Sequence, residues 1–139
     1  MATLTASLAT AQVAAKTHVN RDTTVVGTYN VNGTNLSTGD VVQMLKVPSG
    51  ANIINVEFYT DVLTGGNYTV TIGDGLDPDR YFTSLSTGST SSINRLTLVT
   101  GTVGYSYSAE DTVDITFSTV TTATATGSFK LRVTYTMDP

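Results

Sequence analysis

The chain has no cysteine, no tryptophan, one histidine and three prolines, and only 13% of its 139 residues are charged. Without cysteine there are no disulfides and no thiolate metal sites, and the redox compartment is left open. Without tryptophan a sugar site would have to stack on tyrosine. With His18 as the sole imidazole, a catalytic metal site that draws on two or three histidines has too few ligands. A hydrolytic triad would have to use that same residue, and no GxSxG motif accompanies any serine. Glu57 and Glu110 are the only glutamates, which leaves little for paired-carboxylate glycoside chemistry. The expectation is a protein with no enzymatic activity and no cofactor.

Lys and Arg number 7 against 11 Asp and Glu, for a net charge of −4. The cations are scattered, so no basic stripe offers itself to a phosphate backbone and no nucleic-acid partner is expected. No run approaches the ~20 apolar residues that span a bilayer, so no membrane partner is expected either. The opening segment carries no positive charge before Lys16 and no sustained apolar core, unlike a signal peptide. That predicts synthesis and use without export.

What the chain does contain is Thr, Val, Ser and Gly in period-two runs, the mark of strands with one buried face. Ile54, Val56 and Phe58 alternate with Asn55, Glu57 and Tyr59, and Tyr68, Val70 and Ile72 alternate with Asn67, Thr69 and Thr71. The Thr-Gly-Gly-Asn string between these runs reads as a hairpin loop, because glycine reaches positive φ at little cost. Further strands are predicted over Thr23–Val31, Val41–Val47, Arg80–Leu85, Asn94–Thr100, Thr102–Tyr107 and Thr112–Ser118. A long last strand buries Phe129, Leu131, Val133, Tyr135 and Met137, and the charges on its outer face read as protection of a sheet edge. Val41–Val47 is apolar on both faces, which makes Val42 and Met44 candidates for an interface. Tyr59 points away from the buried face of its run and is a candidate exposed contact.

About eight strands with turn signals every ~8–12 residues predict an all-β, two-sheet antiparallel sandwich of the jelly-roll type. An immunoglobulin-like sandwich is the runner-up. Residues 23–139 form the single domain. Residues 1–22 are read as an extended N-terminal arm, either frayed or ordered on a neighbouring subunit, with His18 and Arg21 as interface candidates.

Asp74, Asp77 and Asp79 crowd one turn, Gly73-Asp-Gly-Leu-Asp-Pro-Asp-Arg80. They are candidates to hold a hard cation such as calcium through oxygen ligands. The other reading is a turn in which aspartates bond backbone N–H groups, Pro78 fixes φ and Arg80 balances charge.

That turn, taken with Gly39-Asp-Val-Val42 and Lys46-Val-Pro-Ser-Gly-Ala51, resembles the head decoration, or cement, proteins of tailed bacteriophages. The likeness runs over roughly residues 23–137 and extends to the jelly-roll cement proteins of Bordetella-infecting podophages. It implies a virion structural protein on the outer surface of the capsid, made in the host cytoplasm. Its partners would be the major capsid protein and itself, as a homodimer ahead of a trimer. The alternative is a jelly-roll module of a head or tail fibre that binds a carbohydrate or receptor.

Overall fold

The computed structural model describes residues 1–6, 21–61, 67–87, 92–95, 104–121 and 124–137. Nine strands lie among them: β1 (Thr3–Ala6), β2 (Thr23–Asn35), β3 (Val41–Val47), β4 (Ala51–Thr60), β5 (Tyr68–Asp74), β6 (Phe82–Thr87), β7 (Ser92–Arg95), β8 (Asp111–Val120) and β9 (Thr124–Met137). One sheet has the order β1-β3-β8-β5-β6 and the other β2-β9-β4-β7.

The pairs β2–β9, β3–β8, β4–β7 and β5–β6 are all antiparallel. They are what one long hairpin gives when it is rolled up with β5–β6 at its tip. β9 then pairs with β4, and β8 with β5, to complete two facing sheets. This is a jelly-roll sandwich. β1 is the exception to the antiparallel rule, since it runs parallel to β3 at the sheet margin. Part of the expected N-terminal arm is therefore a strand of the domain.

The core lies between the sheets. Phe58 and Phe129 stack at 5.9 Å between ring centroids, and Phe117 meets Phe129 edge-on at 5.7 Å. Tyr68 packs edge-on against Phe117 at 5.6 Å. Ile53, Ile72, Ile115, Leu131 and Val133 fill the space around these rings with no exposed surface. Each such side chain contributes roughly 1.5–3 kcal/mol by leaving water.

Several expectations need correction. The runs before and after Thr-Gly-Gly-Asn are not a hairpin, for β4 and β5 lie in different sheets. Alternation shows that a strand has a buried face, and two strands with buried faces can just as well oppose each other across a core. On β4, Val56 and Phe58 are buried as expected, but Ile54 does not share their face. The register with β9 shifts between Ile53 and Asn55, so Ile53 is buried and Ile54 is 39% exposed. An extra residue at a bulge turns every later side chain to the other face.

The same device governs β3. Its register with β8 shifts between Gln43 and Leu45, and Val42, Met44, Leu45 and Val47 are all fully buried. Val42 and Met44 are thus core residues, not interface residues. Gly27 of β2 makes this possible, because a Cβ there would run into the Met44 carbonyl.

β9 lies between β2 and β4, so the exposed Lys130 and Arg132 decorate a central strand and not an edge. The segment expected as a strand over Thr102–Tyr107 forms, among its described residues 104–107, a single bridge between Ser106 and Asn52. The strand after the Asp-rich turn begins at Phe82 and not at Arg80, because the turn takes up Arg80. Of the strand expected over Asn94–Thr100, residues 94 and 95 belong to β7 and the rest lie outside the described residues.

Candidate functional site

The Asp-rich turn joins β5 to β6 and so caps the tip of the rolled hairpin. It folds tightly because residue 73 is glycine: a Cβ there would collide with the backbone of Asp77, Pro78 and Asp79. Asp74, the last residue of β5, is buried and organises the turn. Its Oδ1 accepts hydrogen bonds from the amides of Leu76 (3.1 Å) and Asp77 (2.9 Å). Its Oδ2 accepts from Arg80 Nε at 2.5 Å and from the Tyr107 hydroxyl at 3.1 Å. The Tyr81 and Tyr107 hydroxyls lie 2.7 Å apart. The Arg80 guanidinium carbon sits 3.8 Å from the centroid of the Tyr105 ring, a cation–π distance.

Burial raises both the Tyr81 and the Tyr107 hydroxyls above the ordinary tyrosine range, with the nearby Asp74 carboxylate adding to the effect. They stay protonated and serve as donors. The other two aspartates of the turn face outward. Asp77 lies 3.8 Å from Arg80, and Asp79 is exposed, its carboxyl raised chiefly by a hydrogen bond with Asp77. Asp74 spends its carboxylate on Arg80, Tyr107 and the two turn amides. Among the described residues no group of three or more acidic, histidine or cysteine side chains has a metal-holding arrangement.

Beside the turn lies Asp114 of β8, which is only 6% exposed. Its cross-strand partner is Gly73, the residue the turn folds over. Its Oδ1 is buried without a hydrogen-bond partner. Burial pushes its carboxyl up to about 7; a hydrogen bond from Thr112 opposes this, and Asp111 and Asp74 add to it.

The outer face of the other sheet carries a second polar cluster. Glu57 of β4 stands in register with Arg132 of β9 on one side and Arg95 of β7 on the other. Its Oε2 accepts from the Tyr59 hydroxyl at 2.7 Å and lies 3.2 Å from Arg132 Nη1. Tyr59 is half-buried, and its hydroxyl is bonded to Glu57. Arg21 is exposed just before β2. His18 lies outside the described residues. Among the described residues the interface candidates are not gathered into one patch.

Sequence reasoning missed three buried acids: Asp40, Glu57 and Asp114. Asp40 accepts from the Ser37 amide at 2.9 Å and from the Ala2 amide at 2.8 Å. A signal for the first bond existed in the Ser-Thr-Gly-Asp string, a tight turn whose closing aspartate reaches back to the amide that opens it. The second bond is long-range and had none.

Taken together, these clusters are ion pairs and turn fastenings on the two outer faces and the tip of a sandwich. They define a rigid all-β jelly roll whose polar side chains are spent largely on one another. No protein-family model matches the chain, and no curated protein does. Solved structures do match. The chain is similar to one in the capsid of Ralstonia phage GP4, with a TM-score of 0.81, 14% identity and 99% of both chains covered. It is similar to a chain of the cyanophage Pam1 capsid asymmetric unit, with a TM-score of 0.66, 23% identity, and 93% of this chain and 95% of that one covered. A chain of the acid-stable capsid of Helicobacter pylori bacteriophage KHP30 matches with a TM-score of 0.50 at 13% identity, over 86% and 94%. At these identities the shared property is the fold, and the neighbours that share it belong to phage capsids.

Proposed function

We propose that this chain is a virion structural protein, a decoration or cementing protein that binds the outer surface of the major capsid protein shell and stabilises a phage head. The observation that carries the reading is the near-complete likeness to a chain of a phage capsid, 99% of each. A match that runs through nearly all of both chains favours a shared place in a particle. The mutually bonded polar clusters agree with a scaffold that presents surfaces and performs no reaction.

The mechanism is mass action. A protein that binds the assembled shell and not its separated subunits shifts the equilibrium toward assembly. A specific contact buries ~1,200–2,000 Å² in total, and repetition over a shell adds avidity without stronger single contacts. Self-association, as a dimer ahead of a trimer, would raise that avidity further. The test compares heads assembled with and without the protein for the temperature at which DNA is released. The expected result is release at a lower temperature from heads that lack it. Equal release temperatures would overturn the bracing role, and its absence from purified heads would overturn the capsid assignment.

A further inference from the structure

The margin of the five-stranded sheet is built to receive a strand. Along β3 the parallel ladder pairs Thr3 with Val41, Leu4 with Val42 and Thr5 with Gln43. The Val41 amide donates to the Ala2 carbonyl at 2.9 Å. The buried Asp40 carboxylate takes the Ala2 amide with one oxygen and the Ser37 amide with the other. Ala6 is buried, and Leu4 packs against the core. Without β1 this margin would leave a row of open backbone groups, a half-satisfied buried carboxylate and bare apolar surface.

Nothing in those contacts specifies whose strand fills the margin. Ala6 follows Thr5, the partner of Gln43, and so lies beside Met44; Gly27 of β2 packs on the Met44 carbonyl from the opposite sheet. Thr23, where β2 begins, is only about 13 Å further along its strand at roughly 3.3 Å per residue. The gap from β1 to β2 within one copy is therefore on the order of 20 Å. Residues 7–22 join the two, and a tether of about 16 residues reaches roughly 50 Å when extended. The tether is long enough to deliver the strand to an adjacent molecule.

We infer that the β3 margin is a strand-exchange site whose second occupant is β1 of another copy of this chain, entering parallel to β3 and capped by Asp40. The contacts are the same within and between copies, so exchange costs no packing and its extent follows concentration. Within one copy the tether gives an effective concentration on the order of millimolar. Exchange is thus a property of crowded copies, as on a repeating surface. It deepens the self-association part of the proposed function and does not depend on shell binding.

The absence of cysteine makes a direct test possible. Thr5 and Gln43 are paired and both reach solvent, and paired strand Cα atoms lie within disulfide range. Purified Thr5→Cys and Gln43→Cys proteins, with no capsid present, are mixed at about millimolar concentration and at one hundredth of it, then oxidised. The expected product is a covalent dimer whose peptide map shows a 5–43 disulfide, falling at least tenfold on dilution. The Thr5→Cys/Gln43→Cys double variant should close within one chain in the dilute sample. If the double variant closes internally while mixed single variants never form the 5–43 bond, exchange is overturned. If the double variant closes in neither way, the docking of β1 on β3 is overturned, and exchange with it. Neither failure alters the release temperature of heads, so it is distinguishable from failure of the capsid assignment.

Discussion

The middle of the sandwich and its β5–β6 tip are held by opposite means. In the middle, Phe58, Phe117 and Phe129 meet with Tyr68 in a seam of rings that is free of charge. At the tip, Asp74 gathers two amides, a guanidinium and a tyrosine hydroxyl on one buried carboxylate. The first depends on area and is indifferent to direction and salt. The second depends on direction: each donor at the tip has been placed for one acceptor, Asp74, that must be present. Where the chain must close a tight turn, backbone groups outnumber the apolar side chains available to bury them, and a carboxylate takes over what packing does elsewhere.

The largest effect is expected in the middle. Phe129→Ala removes the ring that stacks on Phe58 and meets Phe117 and Tyr68, and the rigid sheets cannot close over the void. A loss of about 3–5 kcal/mol is expected in urea unfolding, unchanged between low and high salt. A loss below about 1 kcal/mol would mean that the seam relaxes, and the contrast with the tip would fail.

Next comes Asp74→Ala. It leaves Arg80, the Leu76 and Asp77 amides and the Tyr107 hydroxyl without their shared acceptor. Breaking a buried pair by removing one partner costs about 3–5 kcal/mol, and here the half-buried guanidinium recovers part of that in water. A loss of about 2–4 kcal/mol is expected, together with faster exchange of the turn amides. Asp74→Asn keeps one acceptor oxygen and should lose less. If Ala and Asn cost the same, the carboxylate is not what organises the tip.

The parts that could be read from the chain were the local ones. Val41–Val47 is a strand with the bounds expected, and Phe129, Leu131, Val133, Tyr135 and Met137 all point inward as their alternation requires. The two-sheet class followed from strand number and turn spacing. What the pattern could not carry was which strands lie side by side. β4 and β5 have the same alternation and a glycine-rich link, yet they face each other across the core. Bulges were equally silent: one extra residue at Ile54 or Met44 reverses a face without leaving a mark in composition. Of the candidate site, the turn at Asp74 was legible where its fastenings are local, to the Leu76 and Asp77 amides and Arg80, and not where Tyr107 reaches it from 33 residues away. Glu57 was not, since its partner Arg132 comes from a strand far along the chain, and Asp114 was not, since alternation alone assigns it to solvent.

Asp114 sharpens the comparison from the other side, because at the tip not every polar group has been given a partner. Its Oδ1 is buried and unbonded, and its carboxyl is pushed up to about 7 by burial, with Asp111 and Asp74 adding to a shift that Thr112 opposes. An acid raised in the folded state holds its proton there while the unfolded chain, near the ordinary value of about 3.9, has already released it. The contribution of Asp114 to stability is therefore full below about pH 4, falls as pH rises and is lost above about 7, where the folded protein must bury a charge. Asp114→Asn removes that titration and keeps the shape. Its stability should match the parent in mild acid and exceed it at pH 8 by about 1–3 kcal/mol, the cost of a buried group left unsatisfied. The measurement is urea unfolding of both proteins from pH 4.5 to 8. Parallel curves would show that Asp114 is solvated or paired, and that its buried oxygen carries no unmet demand.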